Sequence, residues 1–437
     1  VFTALAHGVV EAWSVLLFEI MVWGLTLVWA GKAFYERQLT IMIPQPLWSL
    51  VALLALGILQ GLSFTDGEGT RHSLSMDAEA TRGAVMLLCC LLACALLAAN
   101  FLTTRERLEK LARWMIYFGL ALAVFGLIQH FTWNGKFYWL RPVEVEAPFG
   151  PYVNRNHFAG YIELLMPWPV AMMLVRRKQR WERMFYAFAA AWMGIAVVMS
   201  LSRGGMISLI AELIFIGALS LRVGHHRPET SSRPRRDLRG RIIRLAAVGA
   251  VLLTIIWGVL WLGAERVINR IATGQETDPT IVQTAQTFAS SRGELWRGGW
   301  GVFCAHPVIG VGLGAFETAY PMYSQDRGLD KIAAHAHNDY LQVLTDSGVV
   351  GGLFVLWFIV TVGWAVARGI RSRDPFLSAV TLACGAGIFG LLVHSLFDFN
   401  LQLPSHALLF LIFAAIVWQI GTGILPTRQD VIAGRDL

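Results

Sequence analysis

Charge is scarce in this chain: 15% of its 437 residues are Asp, Glu, Lys or Arg, whereas 56% are hydrophobic. That composition excludes an ordinary soluble domain of this length. A bilayer core takes about 20 apolar residues per helical span, and the short polar links between the apolar runs leave no room for a large soluble catalytic domain. Cysteine is scarce too. Of Cys89, Cys90, Cys94, Cys304 and Cys384, all but Cys304 lie inside apolar runs, where a thiol behaves as a small hydrophobe. Their spacing offers neither a disulfide framework nor a zinc site. HExxH and DxD motifs are missing, which argues against the commonest metal centres. The net charge of +7 is scattered between apolar spans rather than gathered on one surface, so nucleic acid is not an expected partner.

What is abundant is apolar length. Spans are predicted near 9–30, 47–64, 83–104, 111–132, 157–175, 184–200, 205–222, 245–263, 349–367, 376–397 and 406–425. The expected fold class is an all-α integral membrane protein of about 11–12 transmembrane helices with a large extramembrane loop containing short helices. Residue 1 is Val, and the opening VFTALAHGVVEAWS reads as one hydrophobic segment turning into the next, so a preceding span is expected.

Basic residues set the orientation. The links 105–113, 176–183, 222–244 and 368–373, with Lys32, Arg37, Arg428 and Arg435, hold 24 of the 36 Lys and Arg. By the positive-inside rule they are cytoplasmic. That leaves 65–82, 133–156, the turn around 200–204 and the long stretch 264–348 outside. Three regions follow: 1–263 with the N-terminal spans, 264–348 as the large external loop, and 349–437 with the C-terminal spans and a cytoplasmic tail. So long a loop is usually functional. Within it, Trp296, Trp300 and Phe303 recur at helical spacing and predict a short amphipathic helix. The glycines of HPVIGVGLGAFETAYP predict a tight turn with close backbone approach.

The chemistry-bearing residues gather in the external segments. Ala334-His335-Ala336-His337-Asn338-Asp339 lies just before a span, and an imidazole, which ordinarily titrates near neutrality, suits the task of taking a proton from a hydroxyl. A lone histidine there would more often only line a helix start, yet every external segment adds an arginine. These are Arg71 and Arg82, Arg155 in PYVNRNHFAGY, Arg203 in SLSRGGM and Arg292 in SSRGELW. Guanidinium never loses its charge and pairs bidentately with phosphate, so this set suits a di-anionic headgroup.

His337-Asn338, nine residues, Gly348, two residues and Gly351 fit the H[NSQ]x9GxxG pattern of the O-antigen ligase superfamily, and SLSRGG before a span resembles a second hallmark of that group. The similarity runs from the first spans through NRNHFAGYIE to HSLFDFNLQLP, and takes in Wzy-type polymerases and some protein O-oligosaccharyltransferases. What it implies is a GT-C type glycosyltransferase of the bacterial inner membrane with its active site facing the periplasm. The donor it implies is a glycan on undecaprenyl diphosphate, the acceptor lipid A core or another lipid-linked glycan, and no metal or cofactor is required. On the same resemblance His337 is the base, Arg203 and Arg292 contact the diphosphate, and Arg155 and His157 belong to a motif of a subset of members. His335 and Asn338 are supporting residues.

Two alternatives stay open at this stage. A multi-span solute transporter would use mid-span carboxylates, for which Glu19, Glu163 and Glu212 qualify, but no internal repeat accompanies them. Within the glycosyltransferase reading, ligase and polymerase differ in acceptor, and the pattern from His337 to Gly351 places ligase ahead.

Overall fold

The computed structural model describes residues 1–37, 41–65, 71–142, 148–175, 179–223, 238–273, 279–324 and 333–425; of 71–72, 238–239, 262–273 and 279–291 it describes the backbone alone. Several residues named above, among them Arg428, Arg435 and much of the basic link 222–244, lie outside the described residues, as does the side chain of Arg71.

The chain is an all-α integral membrane protein. Its long helices are α1 (Ala12–Glu36), α2 (Gln45–Gly61), α3 (Ala78–Phe101), α4 (Arg105–Phe131), α5 (Arg155–Val175), α6 (Arg180–Met199) and α7 (Arg203–Ser220). They continue with α8 (Leu238–Thr273), α9 (Pro279–Ala305), α10 (Asp339–Gly369), α11 (Pro375–His394) and α12 (Pro404–Thr422). Ten of the described helices are long and apolar enough to cross a membrane, and α2 is a shorter apolar helix of 17 residues. Each predicted span corresponds to one of these eleven. Among the described residues, strand is confined to two small hairpins, 63–65 with 71–73 and 136–137 with 141–142.

The middle of the bundle is built from α5, α11 and α12, whose apolar stretches are almost wholly buried by other helices, while α1, α3 and α8 expose most of theirs. In lipid, apolar side chains can face outward without cost, so burial inside the protein marks the helices that carry the polar chemistry. Trp168, Phe158 and Phe413 fill this centre without exposure.

Two predicted features of the large loop change in extent. The helix through Trp296 and Trp300 is not short but runs 27 residues as α9. It is amphipathic as expected: Trp296 and Trp300 face out, while Val302 is fully buried and Gly298 and Gly299 lie against Tyr320 and Leu341. Helix α10 begins at Asp339, ten residues before the predicted span, and breaks at Gly348, whose φ of 61° and ψ of −163° are not helical. The predicted start at 349 marks this break.

The break explains the glycines. A Cβ at Gly348 would lie 2.3 Å from the carbonyl oxygen of Val308, and one at Gly310 would lie 2.4 Å from the backbone of Asp346. Only bare backbone fits both places. The amides released at the break are satisfied by the crossing loop: Val349 N donates to Pro307 O at 2.8 Å and Val350 N to Val308 O at 3.1 Å. Gln60 of α2 ties the same junction, donating to Ile309 O at 2.5 Å and Asp346 O at 2.9 Å. The first turns of α10 are thereby held rigidly across the end of the bundle.

Candidate active site

His337 sits immediately before α10 in the left-handed region, with φ of 48°. A non-glycine residue there is strained and persists only where its surroundings hold it. They do so on both sides. Ala336 N donates to the Gln342 side chain at 2.8 Å, and Asn338 caps α10 by accepting from Tyr340 N and Leu341 N. The segment also docks on the turn that follows α11. Asp339 accepts from Ser395 Oγ at 2.7 Å and Leu401 N at 3.0 Å, Asn338 donates to Leu396 O, and the Tyr340 hydroxyl donates to Leu392 O.

That turn supplies the residue at the centre of the site, Asp398. Its side chain is 1% exposed and that of His337 25%, and His337 Nδ1 lies 3.0 Å from Asp398 Oδ1. A carboxylate can only accept, so the shared proton belongs to Nδ1 and the Nε2 lone pair is left over. Asn156 donates to Asp398 Oδ2 at 2.6 Å, and the Arg292 guanidinium, 40% exposed, lies 3.9 Å from the same oxygen. Burial alone would push the Asp398 carboxyl up. The hydrogen bond from His337 and the nearness of His157, His337 and Arg292 outweigh it and hold the carboxyl well below the usual carboxylate range.

Three helices begin at this place. Helix α5 starts at Arg155, with Asn154 accepting from Asn156 N, and α7 starts at Arg203, with Ser202 accepting from Gly205 N. A Cβ on Gly204 would meet the His394 ring at 2.8 Å and Phe397 at 3.4 Å, so the start of α7 lies flat on the turn carrying Asp398. With α10, this puts three helix N-termini and three arginines around one turn. Helix N-termini and guanidinium groups both favour an anion, and a diphosphate carries several charges.

Aromatic contacts complete the site. The ring of Phe399 is contacted by those of His157, His335 and His337 at centroid distances of 4.9, 4.5 and 4.7 Å. Burial first, and then the neighbouring His337, push the His335 imidazole down to about 4 against the opposing pull of Asp398. His335 is therefore neutral near pH 7.

Residues 188–356, reaching from within α6 past Gly351, match the family model described as O-antigen ligase. The match covers 169 of the chain's 437 residues and supports a place for it in the O-antigen ligase and Wzy-type superfamily. No curated protein matches it. The ten apolar helices make this a multi-pass membrane protein, and the family match implies a glycosyltransferase-like activity of the ligase or polymerase type. The matched segment contains Arg203, Arg292, His335, His337 and Asn338, whereas Arg155 and Asp398 lie outside it.

Of the arginines in the external segments, Arg155, Arg203 and Arg292 lie at this turn. Arg141 is instead paired with Glu11 across the end of the bundle, and Arg82 bonds back to Ala78 O in its own helix. Asp398, Asn156 and Phe399 are the residues that sequence reasoning passed over. A parity signal was available for two of them: a chain that crosses at 376–397 and returns at 406–425 must turn outside between the spans, so 398–405 is a fifth external segment.

Proposed function

We propose that this protein is an inverting, metal-independent O-antigen ligase of the bacterial inner membrane, taking a glycan from undecaprenyl diphosphate and transferring it to lipid A core at the periplasmic face. The observation that carries the reading is the His337–Asp398 hydrogen bond with Arg292 at the second oxygen of the same carboxylate. In the reaction an acceptor hydroxyl oxygen bonds to the anomeric carbon, its proton passes to His337 Nε2, and the bond from that carbon to the diphosphate breaks with its electron pair leaving on the phosphate. Arg203, Arg292 and Arg155 counter the charge that grows there. Residues 264–348 form the catalytic loop, and the flanking regions 1–263 and 349–437 supply the membrane helices.

Lysine keeps charge but loses the planar fork. Arg203→Lys and Arg292→Lys are each expected to lower kcat/KM by about tenfold or more, since a single donor to a developing anion is worth roughly 10²–10³ when removed outright. Full activity in both would show that only a diffuse positive field is needed. Transfer is also expected to survive EDTA, because arginines supply the charge that a divalent ion would otherwise provide. Loss of activity in EDTA, restored by Mg²⁺ or Mn²⁺, would contradict this.

A polymerase is the second reading, favoured by one observation: the NRNHFAGY segment, which also resembles exopolysaccharide polymerases, reaches the centre of the site through Asn156. Deleting the gene separates the two. Long glycan chains accumulating on undecaprenyl diphosphate support a ligase, and single repeats accumulating there support a polymerase.

A further inference from the structure

Beneath the site lies a buried polar group that the transfer chemistry does not use. Glu163 of α5 is fully buried, His394 at the end of α11 is 1% exposed, and His394 Nδ1 is 3.1 Å from Glu163 Oε2. Ser208 Oγ of α7 lies 2.9 Å from that same oxygen. Glu163 Oε1 and both carboxyl oxygens of the buried Glu212 have no hydrogen-bond partner. Ionisable groups inside a membrane are expensive, and where they face one another in a bundle they are usually retained for function. A pair serving only to join α5 to α11 would be matched or bettered by apolar residues of similar volume.

The far edge of the His394 ring shows what the pair does. A Cβ on Gly204 would meet His394 Cδ2 at 2.8 Å and Nε2 at 2.9 Å, so the imidazole lies directly under the residue that follows Arg203. On its other side, the His394 carbonyl accepts from Phe397 N at 2.8 Å and Asp398 N at 3.2 Å, closing the turn that aims Asp398 at His337. The imidazole thus stands between the arginine at the start of α7 and the carboxylate that orients the base, and Glu163 fixes its rotation. We infer that His394, pinned by Glu163, is a positioning residue that sets the separation between the Arg203 arm and the Asp398–His337 arm of the site.

The inference rests on the proposed roles of His337 and Arg203. Displacing one arm relative to the other by about 1 Å spoils alignment without removing any group that binds the donor, which costs about 10²-fold in rate. His394→Ala and Gly204→Ala are therefore expected to lower kcat about 10²-fold while the KM for lipid-diphosphate donor stays within about threefold. Gly204→Ala is the cleaner of the two, because it deletes no hydrogen bond. His394→Asn keeps a donor at the Nδ1 position and so can hold Glu163; it is expected to be at least tenfold faster than His394→Ala.

The measurement is transfer kinetics in proteoliposomes, with monodispersity in detergent checked for each variant. A kcat within about threefold of the unsubstituted protein for Gly204→Ala, a loss confined to KM, or no advantage of Asn over Ala at position 394 would each overturn the inference. If His394→Ala is recovered unfolded, Gly204→Ala and His394→Asn decide. Failure of the functional reading looks different: the unsubstituted protein then transfers nothing, or His337→Ala remains active.

Discussion

Replacing His337 by alanine is expected to lower glycan transfer by about 10²–10⁴-fold, the usual contribution of a positioned general base. In the proposed reaction the acceptor is a sugar hydroxyl, which gives up its proton only far above neutral pH, so attack without a base is slow. Folding and insertion should survive. His337 is a quarter exposed and strained, and the alanine variant keeps the Asn338 cap, the Asp339 bonds to Ser395 and Leu401, and the Gly348 junction. The loss should fall on kcat, because Arg203, Arg292 and Arg155, the groups proposed to bind diphosphate, all remain. Near-normal turnover by His337→Ala in proteoliposomes would remove His337 from the mechanism. His335→Ala is expected to be milder, since its half-buried neutral ring packs on Phe399 and has no tie to Asp398 comparable with that of His337.

The membrane helices were legible because each is an apolar run of about 20 residues bounded by charge, a signal that needs no knowledge of partners. The His337–Gly351 segment was legible for a related reason. Its glycines answer to a local break, and the crossing loop that demands them carries glycines of its own at 310, 312 and 314, all with positive φ. Asp398 was hidden because its partners are remote: 61 residues separate it from His337 and 242 from Asn156. Helical periodicity says which face of one helix is apolar, not which helix ends meet. The length of α9 was hidden differently. Its first turns are polar, and the aromatic spacing that betrays an amphipathic helix begins only at Trp296.

Asp398→Asn is expected to lower transfer by roughly the same 10²–10⁴-fold as loss of the base itself, although the two side chains are the same size. The reason is the number of donors around the carboxylate. Oδ1 accepts from His337 Nδ1 and from Phe399 N at 2.9 Å, and Oδ2 accepts from Asn156 and faces Arg292. Asparagine must place its NH₂ on one side or the other. On the first side it meets the Phe399 N–H and can bond the imidazole only by donating to Nδ1, which moves the ring proton to Nε2 and removes the lone pair that would take the acceptor's proton. On the second it sets donor against donor at Asn156 and repels Arg292. The carboxylate itself is not the group that titrates during the reaction. A carboxyl held low in the folded state contributes stability that is present above its unfolded value, about 3.9, and is lost as pH falls through the folded value. From pH 5 to 8 Asp398 is therefore ionised, its contribution is complete, and an acid limb of kcat/KM in that range does not come from this carboxyl. Asp398→Asn should flatten or displace that limb as well as lower the rate. An unchanged pH profile with transfer within a few-fold of the unsubstituted protein would show that Asp398 does not orient the base.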